Sequence, residues 1–172
     1  MSGPARSWFV GAWRRRSIVV PGGDPLEPCE AWWLQSNDVF VDVRVTLPGC
    51  EHNGLPYSAT RAFAGTFEIA GGESRWHVDL DSGGPVPRTD LAAASGLFIA
   101  AEDPLLMIED APGRFREEWI QCAPAGDVQS VRARNVITVR VGDVSGVVWS
   151  VDGTVFGRIW QGERSVGIDA SR

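Results

Sequence analysis

The sequence predicts an all-β, antiparallel fold closed up and down into a barrel, and three observations carry that reading. Nearly every patterned stretch alternates apolar and polar residues with period two, the spacing of a half-buried strand. The stretches are short and divided by tight-turn pairs such as Asn37-Asp38, Gly71-Gly72 and Asp152-Gly153. Helical patterning is confined to TDLAAAS at 89–95, where Thr89 or Asp90 could serve as N-cap. Long crossovers are scarce, so neighbours in sequence should pair, and closure would remove exposed edges.

In chain order the first strands fall at 13–20 (WRRRSIVV), 31–36 (AWWLQS), 39–47 (VFVDVRVTL), 61–70 (RAFAGTFEIA) and 73–81 (ESRWHVDLD). A Gly- and Pro-rich loop follows, then strands at 97–101, 105–110, 115–122, 134–141, 147–151 and 154–161. The tail beyond Gln161 reads as frayed, although Val166 and Ile168 could dock. Residues 1–172 make one domain, with about 1–10 and 163–172 peripheral.

The turns fix three registers. Asn37-Asp38 pairs Trp33 with Asp42 and Gln35 with Phe40. Gly71-Gly72 pairs Glu68 with Arg75, Thr66 with His77 and Phe67 with Trp76, and Asp152-Gly153 pairs Trp149 with Phe156 and Val147 with Arg158.

Composition narrows the function. All 16 basic residues are arginine, which excludes Schiff-base and lysine-nucleophile chemistry. A net charge of −6 argues against nucleic acid and anionic membranes as partners, since both reward a basic footprint. Arg14-Arg15-Arg16 is a weak patch, because a strand would divide it between two faces. Cys29, Cys50 and Cys122 are odd in number and widely spaced, so neither a disulfide framework nor a structural zinc site is expected. With no apolar leader and no membrane-length run, the expected location is cytoplasmic. The 8 tryptophans suit a core, and they also suit a protein that grips a ligand.

Three faces could carry chemistry. On the Gly-Gly hairpin, Phe63, Phe67, Trp76, Val78 and Leu80 share an apolar face, opposite Thr66, Glu68, Arg75, His77, Asp79 and Asp81. On the preceding hairpin, Trp32, Leu34, Val41, Val43 and Val45 oppose a mixed face of Ala31, Trp33, Gln35, Phe40, Asp42 and Arg44. Such faces are either solvated or the lining of a ligand lumen, and both readings stand at this point. A lumen would require Arg44 to be paired, with Asp42 or Asp79 as partner. It would also leave an apolar exterior for loops, a helix or a second copy of the chain (a homodimer) to cover. In GRFREEWIQ, Phe115, Glu117, Trp119 and Gln121 share a third face, where desolvation would raise the proton affinity of Glu117.

Gly11-Ala12-Trp13 ahead of the first strand resembles the GxW motif that opens lipocalin-like (calycin) barrels. In that superfamily a late arginine packs over the tryptophan, and Arg158 in FGRIWQG is placed for that role. FREEW at 115–119 and GRIWQG at 157–162 further resemble motifs of the HRI-type family of small lipocalin-like proteins and its bacterial relatives. The resemblance implies a lipocalin-like barrel of about 9–10 strands with little helix. It also implies a shared polar cluster of Asp42, Arg44, His77, Asp79, Glu109 and Glu117.

The leading expectation is a small-molecule binder. An apolar or amphipathic ligand would lie against Trp33, Phe40 and Trp119, with Arg44 or His77 fixing its polar end, Asp42 and Glu109 also in the site, and no cofactor. The alternative is a cofactor-free enzyme of isomerase, cyclase or lyase type, in which His77, Asp79 and Glu117 move protons. A haem or metal role would have only His52 and His77 as histidine ligands. A pure interaction module would have no cavity.

Overall fold

A computed structural model describes residues 9–50, 59–70, 73–83, 97–100, 105–124 and 126–168. The helical candidate at 89–95, the Gly71-Gly72 turn and His52 lie outside these residues.

Among the described residues the chain is all strand and turn, with no helix. Strands β1 (Gly11–Val19), β2 (Cys29–Gln35), β3 (Val39–Thr46), β4 (Arg61–Ala70) and β5 (Glu73–Asp81) form an antiparallel meander. β6 (Leu97–Ala100), β7 (Leu106–Ala111) and β8 (Phe115–Pro124) form a second meander, and β8 pairs with β1. The resulting eight-stranded sheet has the neighbour order of an up-and-down barrel. Its ends, β5 and β6, approach each other without a ladder between them among the described residues, so the sheet is a curled half-barrel.

The remaining strands make a separate five-stranded meander: β9 (Val128–Ala133), β10 (Val136–Val141), β11 (Val144–Val151), β12 (Thr154–Gln161) and β13 (Arg164–Ile168). This second sheet packs across the convex side of the first, mainly on β3 and β4. The apolar exterior that a lumen demands is therefore covered by the chain's own C-terminal strands. Gly157 permits the close approach, since a Cβ there would stand 2.4 Å from the Cβ of Ala62.

The packing divides into two principal cores. Between the sheets lie Trp32, Leu34, Val41, Val43, Ala62 and Ala64 against Ile137, Val139, Val148 and Ile159. Inside the curl lie Trp13, Trp33, Phe40, Phe67, Trp76, Met107 and Trp119. Trp32 and Trp33 thus serve opposite cores, as strand alternation requires.

All three turn-derived registers hold. The ends differ from expectation. Phe9 and Val10 are buried in the inner core rather than peripheral, and residues 164–168 are a strand whose Ile168 packs on the inter-sheet core. β9 falls in a stretch that lacks a buried alternating face, with Gln129 to Ala133 all exposed, so period two gave no signal there.

One irregularity decides which side chains enter the curl. The β4–β5 register shifts between Ala64 and Gly65, leaving Asp79 as the extra residue of a bulge. Gly65 is held against the opposite strand so closely that a Cβ would stand 1.9 Å from the carbonyl oxygen of His77. Val78 therefore packs inward while Leu80 packs outward, and the alternation is reset between them.

Candidate functional site

The concave face holds a partly open cavity of about 200 Å³. Its apolar walls are Trp33, Phe63, Trp76, Val78, Phe115 and Trp119. Its polar lining is Asp42, Arg44, Glu109 and Glu117, with Arg61 and Arg114 more exposed. Trp33 is the hub of the walls, with ring centroids 5.5 Å from Phe67, 6.3 Å from Trp76 and 5.9 Å from Trp119. Edge and tilted contacts of this kind suit the charge distribution of aromatic rings. Trp119 Nε1 is the one fully buried side-chain nitrogen or oxygen without a hydrogen-bond partner among the described residues.

The polar lining is a connected ion network. Asp42 and Arg44 sit two apart on β3, so both point to the concave side, and they form a two-pronged bridge with both contacts at 2.9 Å. Arg44 Nη1 reaches Glu117 Oε1 on β8 at 3.5 Å. The same oxygen accepts from Arg15 Nη1 at 2.5 Å. Arg15 is in turn held by Glu27 through Nε at 2.8 Å and Nη2 at 2.9 Å. Glu109 on β7 stands directly across from Glu117. At the rim, Arg61 binds Asp81 through two contacts, of which Nε to Oδ1 is 2.8 Å.

Burial acts differently on each member. It opposes the charge on Arg44, but Asp42 and Glu117 outweigh it and raise the guanidinium pKa further. Burial likewise opposes the charge on Glu117, yet Arg44 and Arg15 together hold that carboxyl below its ordinary value. Glu109 shows the reverse balance. Burial, followed by the Glu117 charge, pushes its proton affinity well above the ordinary range, and Arg44 only partly offsets this. The two facing carboxyls are thus pushed apart, Glu109 towards its protonated form and Glu117 towards its ionised form. Burial also lifts Asp42, against the opposing pull of Arg44, while its two-pronged contact keeps it the carboxylate partner of that guanidinium.

Of the expected ligand-binding residues, Trp33, Asp42, Arg44, Glu109 and Trp119 all line this cavity. Phe40 belongs to the same core and supports the wall from behind, its ring 5.8 Å from Phe63. Arg44 takes Asp42, one of its two expected partners.

The proton-transfer trio is not assembled. His77 points to the outside, more than half exposed, with Nε2 3.3 Å from Glu68. Asp79 is the exposed bulge residue and pairs with Arg132 of the second sheet at 2.9 Å. Only Glu117 reaches the cavity, and its proton affinity falls instead of rising, because two guanidiniums outweigh the desolvation by its aromatic neighbours. Nor do His77, Asp79 and Asp81 share a face, since the bulge returns Asp81 to the side of Phe63.

The barrel-closing pair is also arranged differently. Trp13 is buried in the inner core and its Nε1 donates to the carbonyl of Phe9 at 2.7 Å. Arg158 lies on β12 of the second sheet, with its guanidinium 5.9 Å from the ring of Trp160. Gly11 opens β1 as expected.

The sequence pattern does not single out several contributors to the site. Arg15 continues the inward phase of Trp13, a usable signal obscured by its place in an arginine triplet. The hairpin pattern sets Phe63, Trp76 and Val78 opposite His77, and the β3–β4 register, which pairs Asp42 with Phe63, puts that apolar face on the cavity side. Glu27 precedes β2 in a loop and carries no pattern that announces it. Among the described residues no group of three or more His, Cys, Asp or Glu could hold a metal ion. Comparison with protein-family models, curated proteins and solved structures finds no match to this chain.

Proposed function

We propose that the protein is a small-molecule binder whose ligand occupies the concave cavity, its apolar body against Trp33, Trp76 and Trp119 and its polar end towards Arg44 and Glu109. One observation carries the reading: a partly open, aromatic-walled cavity ends in a buried, cross-braced ion network. Ligand pockets combine apolar walls with a few fixed polar groups in this way. Burying two guanidiniums and several carboxylates gives little net stability, so such a network is costly for a chain that needs only a packed core. The resemblance of FREEW and GRIWQG to the HRI-type lipocalin-like family favours the same reading, because a curled antiparallel sheet can hold one small ligand.

The test is native mass spectrometry of the purified chain against a mixture of small aromatic and isoprenoid compounds. A one-to-one adduct that is lost on denaturation and in Trp33→Ala supports the reading. No adduct with any compound, under conditions that preserve a control complex of micromolar affinity, overturns it.

A further inference from the structure

We propose that the ligand carries a carbonyl-type oxygen, in a ketone, ester, amide or carboxylate, and that this oxygen accepts a hydrogen bond from the indole N–H of Trp119. The inference rests on the small-molecule reading above and names the group by which the site recognises its ligand.

The other buried indoles set the contrast. In the inner core, Trp13 Nε1 donates to the carbonyl of Phe9 at 2.7 Å and Trp33 Nε1 to the side-chain oxygen of Gln35 at 3.1 Å. Between the sheets, Trp32 Nε1 donates to Glu30 at 3.2 Å. Trp119 is 1% exposed, and its Nε1 has no partner among the described residues. A buried donor left unpaired bears its full desolvation cost, and folded proteins hold few of them. This one belongs to the wall of the cavity, where a ligand can supply what the chain does not.

The neighbours of Trp119 explain the missing acceptor. Across the ladders it faces Met107 on β7, whose thioether accepts only weakly, and Arg15 on β1, whose side chain carries donors alone. The Glu117 oxygen two residues back receives Arg15 and Arg44. The guanidinium of Arg44 lies 5.8 Å from the ring centroid of Trp119, whereas an indole N–H projects in the plane of its ring. Trp33 meets Trp119 edge to face at 5.9 Å, and a ring face is a weak acceptor beside an oxygen.

The chemistry of the donor selects the partner. Indole nitrogen donates and cannot accept, so its complement must accept. A carbonyl oxygen does so without bringing a second proton that needs a partner of its own. Because the nitrogen is covered, the oxygen reaches it through a small turn of the indole towards the cavity as the ligand enters. Single-ring probes are of the right size, since roughly 150 Å³ takes a benzene ring and the space here is about 200 Å³.

The test is an NMR titration of the unaltered protein with acetophenone, benzoate and ethylbenzene, following the Trp119 indole N–H. At least one of the two carbonyl probes should bind about 5- to 10-fold more tightly than ethylbenzene and move that proton downfield. Which of the two leads tells a neutral carbonyl from an ionised one. In Trp119→Phe, which keeps a ring and loses the donor, the lead over ethylbenzene should vanish. Ethylbenzene matching both carbonyl probes, or a lead that survives Trp119→Phe, would overturn the inference and leave the small-molecule reading standing. Should that variant not fold, the unaltered protein decides: a Trp119 proton that acetophenone and benzoate leave where ethylbenzene leaves it overturns the assignment. No saturable binding by any of the three would overturn both readings.

Discussion

Glu109 and Glu117 face each other across β7 and β8, both buried, and their surroundings push their proton affinities in opposite directions, up for Glu109 and down for Glu117. The difference comes from the neighbours rather than from the strands. Glu117 receives Arg15 and Arg44 on one oxygen, at 2.5 and 3.5 Å, whereas Glu109 meets burial and the charge of Glu117.

This asymmetry sets opposite pH responses. The folded-state pKa of Glu109 is raised, so its proton favours the folded form. As pH rises above the ordinary glutamate range, the unfolded chain ionises first and stability falls. Glu109→Gln removes that loss while keeping a neutral side chain, and should stabilise the protein more at pH 7 than at pH 4. Urea unfolding of both proteins at the two pH values checks it.

Glu117 should behave oppositely. Its folded pKa is lowered, so its contribution is present at neutral pH and is lost as pH falls below the ordinary glutamate range. Glu117→Gln leaves two buried guanidiniums short of an anion and should cost about 3–5 kcal/mol. A neutral effect in urea unfolding at pH 7 would contradict the network.

Arg44→Ala probes the same network from the other side. It strands the Asp42 carboxylate beside Glu117 and should also cost about 3–5 kcal/mol. Thermal and urea unfolding would show a far smaller loss only if the guanidinium were solvated.

His77→Ala should be silent. Its partner Glu68 is also on the outer surface, and an exposed pair is worth about 0–1 kcal/mol. Ligand affinity should not change, and a clear loss of binding in calorimetry would return His77 to the site.

Gly65→Ala should be severe for so small a change, since the added methyl collides with the carbonyl of His77. The cost should reach or exceed the upper end of about 1–3 kcal/mol for overpacking, read by urea midpoint.

Local pairings were legible because period two and turn chemistry determine them: Trp33 with Asp42 and Phe67 with Trp76 follow from their turns alone. The site was half legible for the same reason. Trp33, Asp42 and Arg44 share a face in the sequence, and that face does line the cavity. What the pattern could not carry is the bulge at Asp79, which depends on how β5 meets β4 and exchanges the sides of Leu80 and Asp81. Nor could it carry the pairing of Arg15 with Glu117, 102 residues apart, on which the ionisation of the whole cluster depends. His77 alternates with two aspartates, and alternation alone does not say which face curls inward.

An internal site is tested by a toluene titration followed through the tryptophan indole N–H resonances. The resonances of Trp33, Trp76 and Trp119 should shift together and saturate, while those of Trp149 and Trp160 on the outer sheet stay fixed. Shifts confined to Trp149 and Trp160, or no saturable shift at all, would contradict a binding site inside the curl.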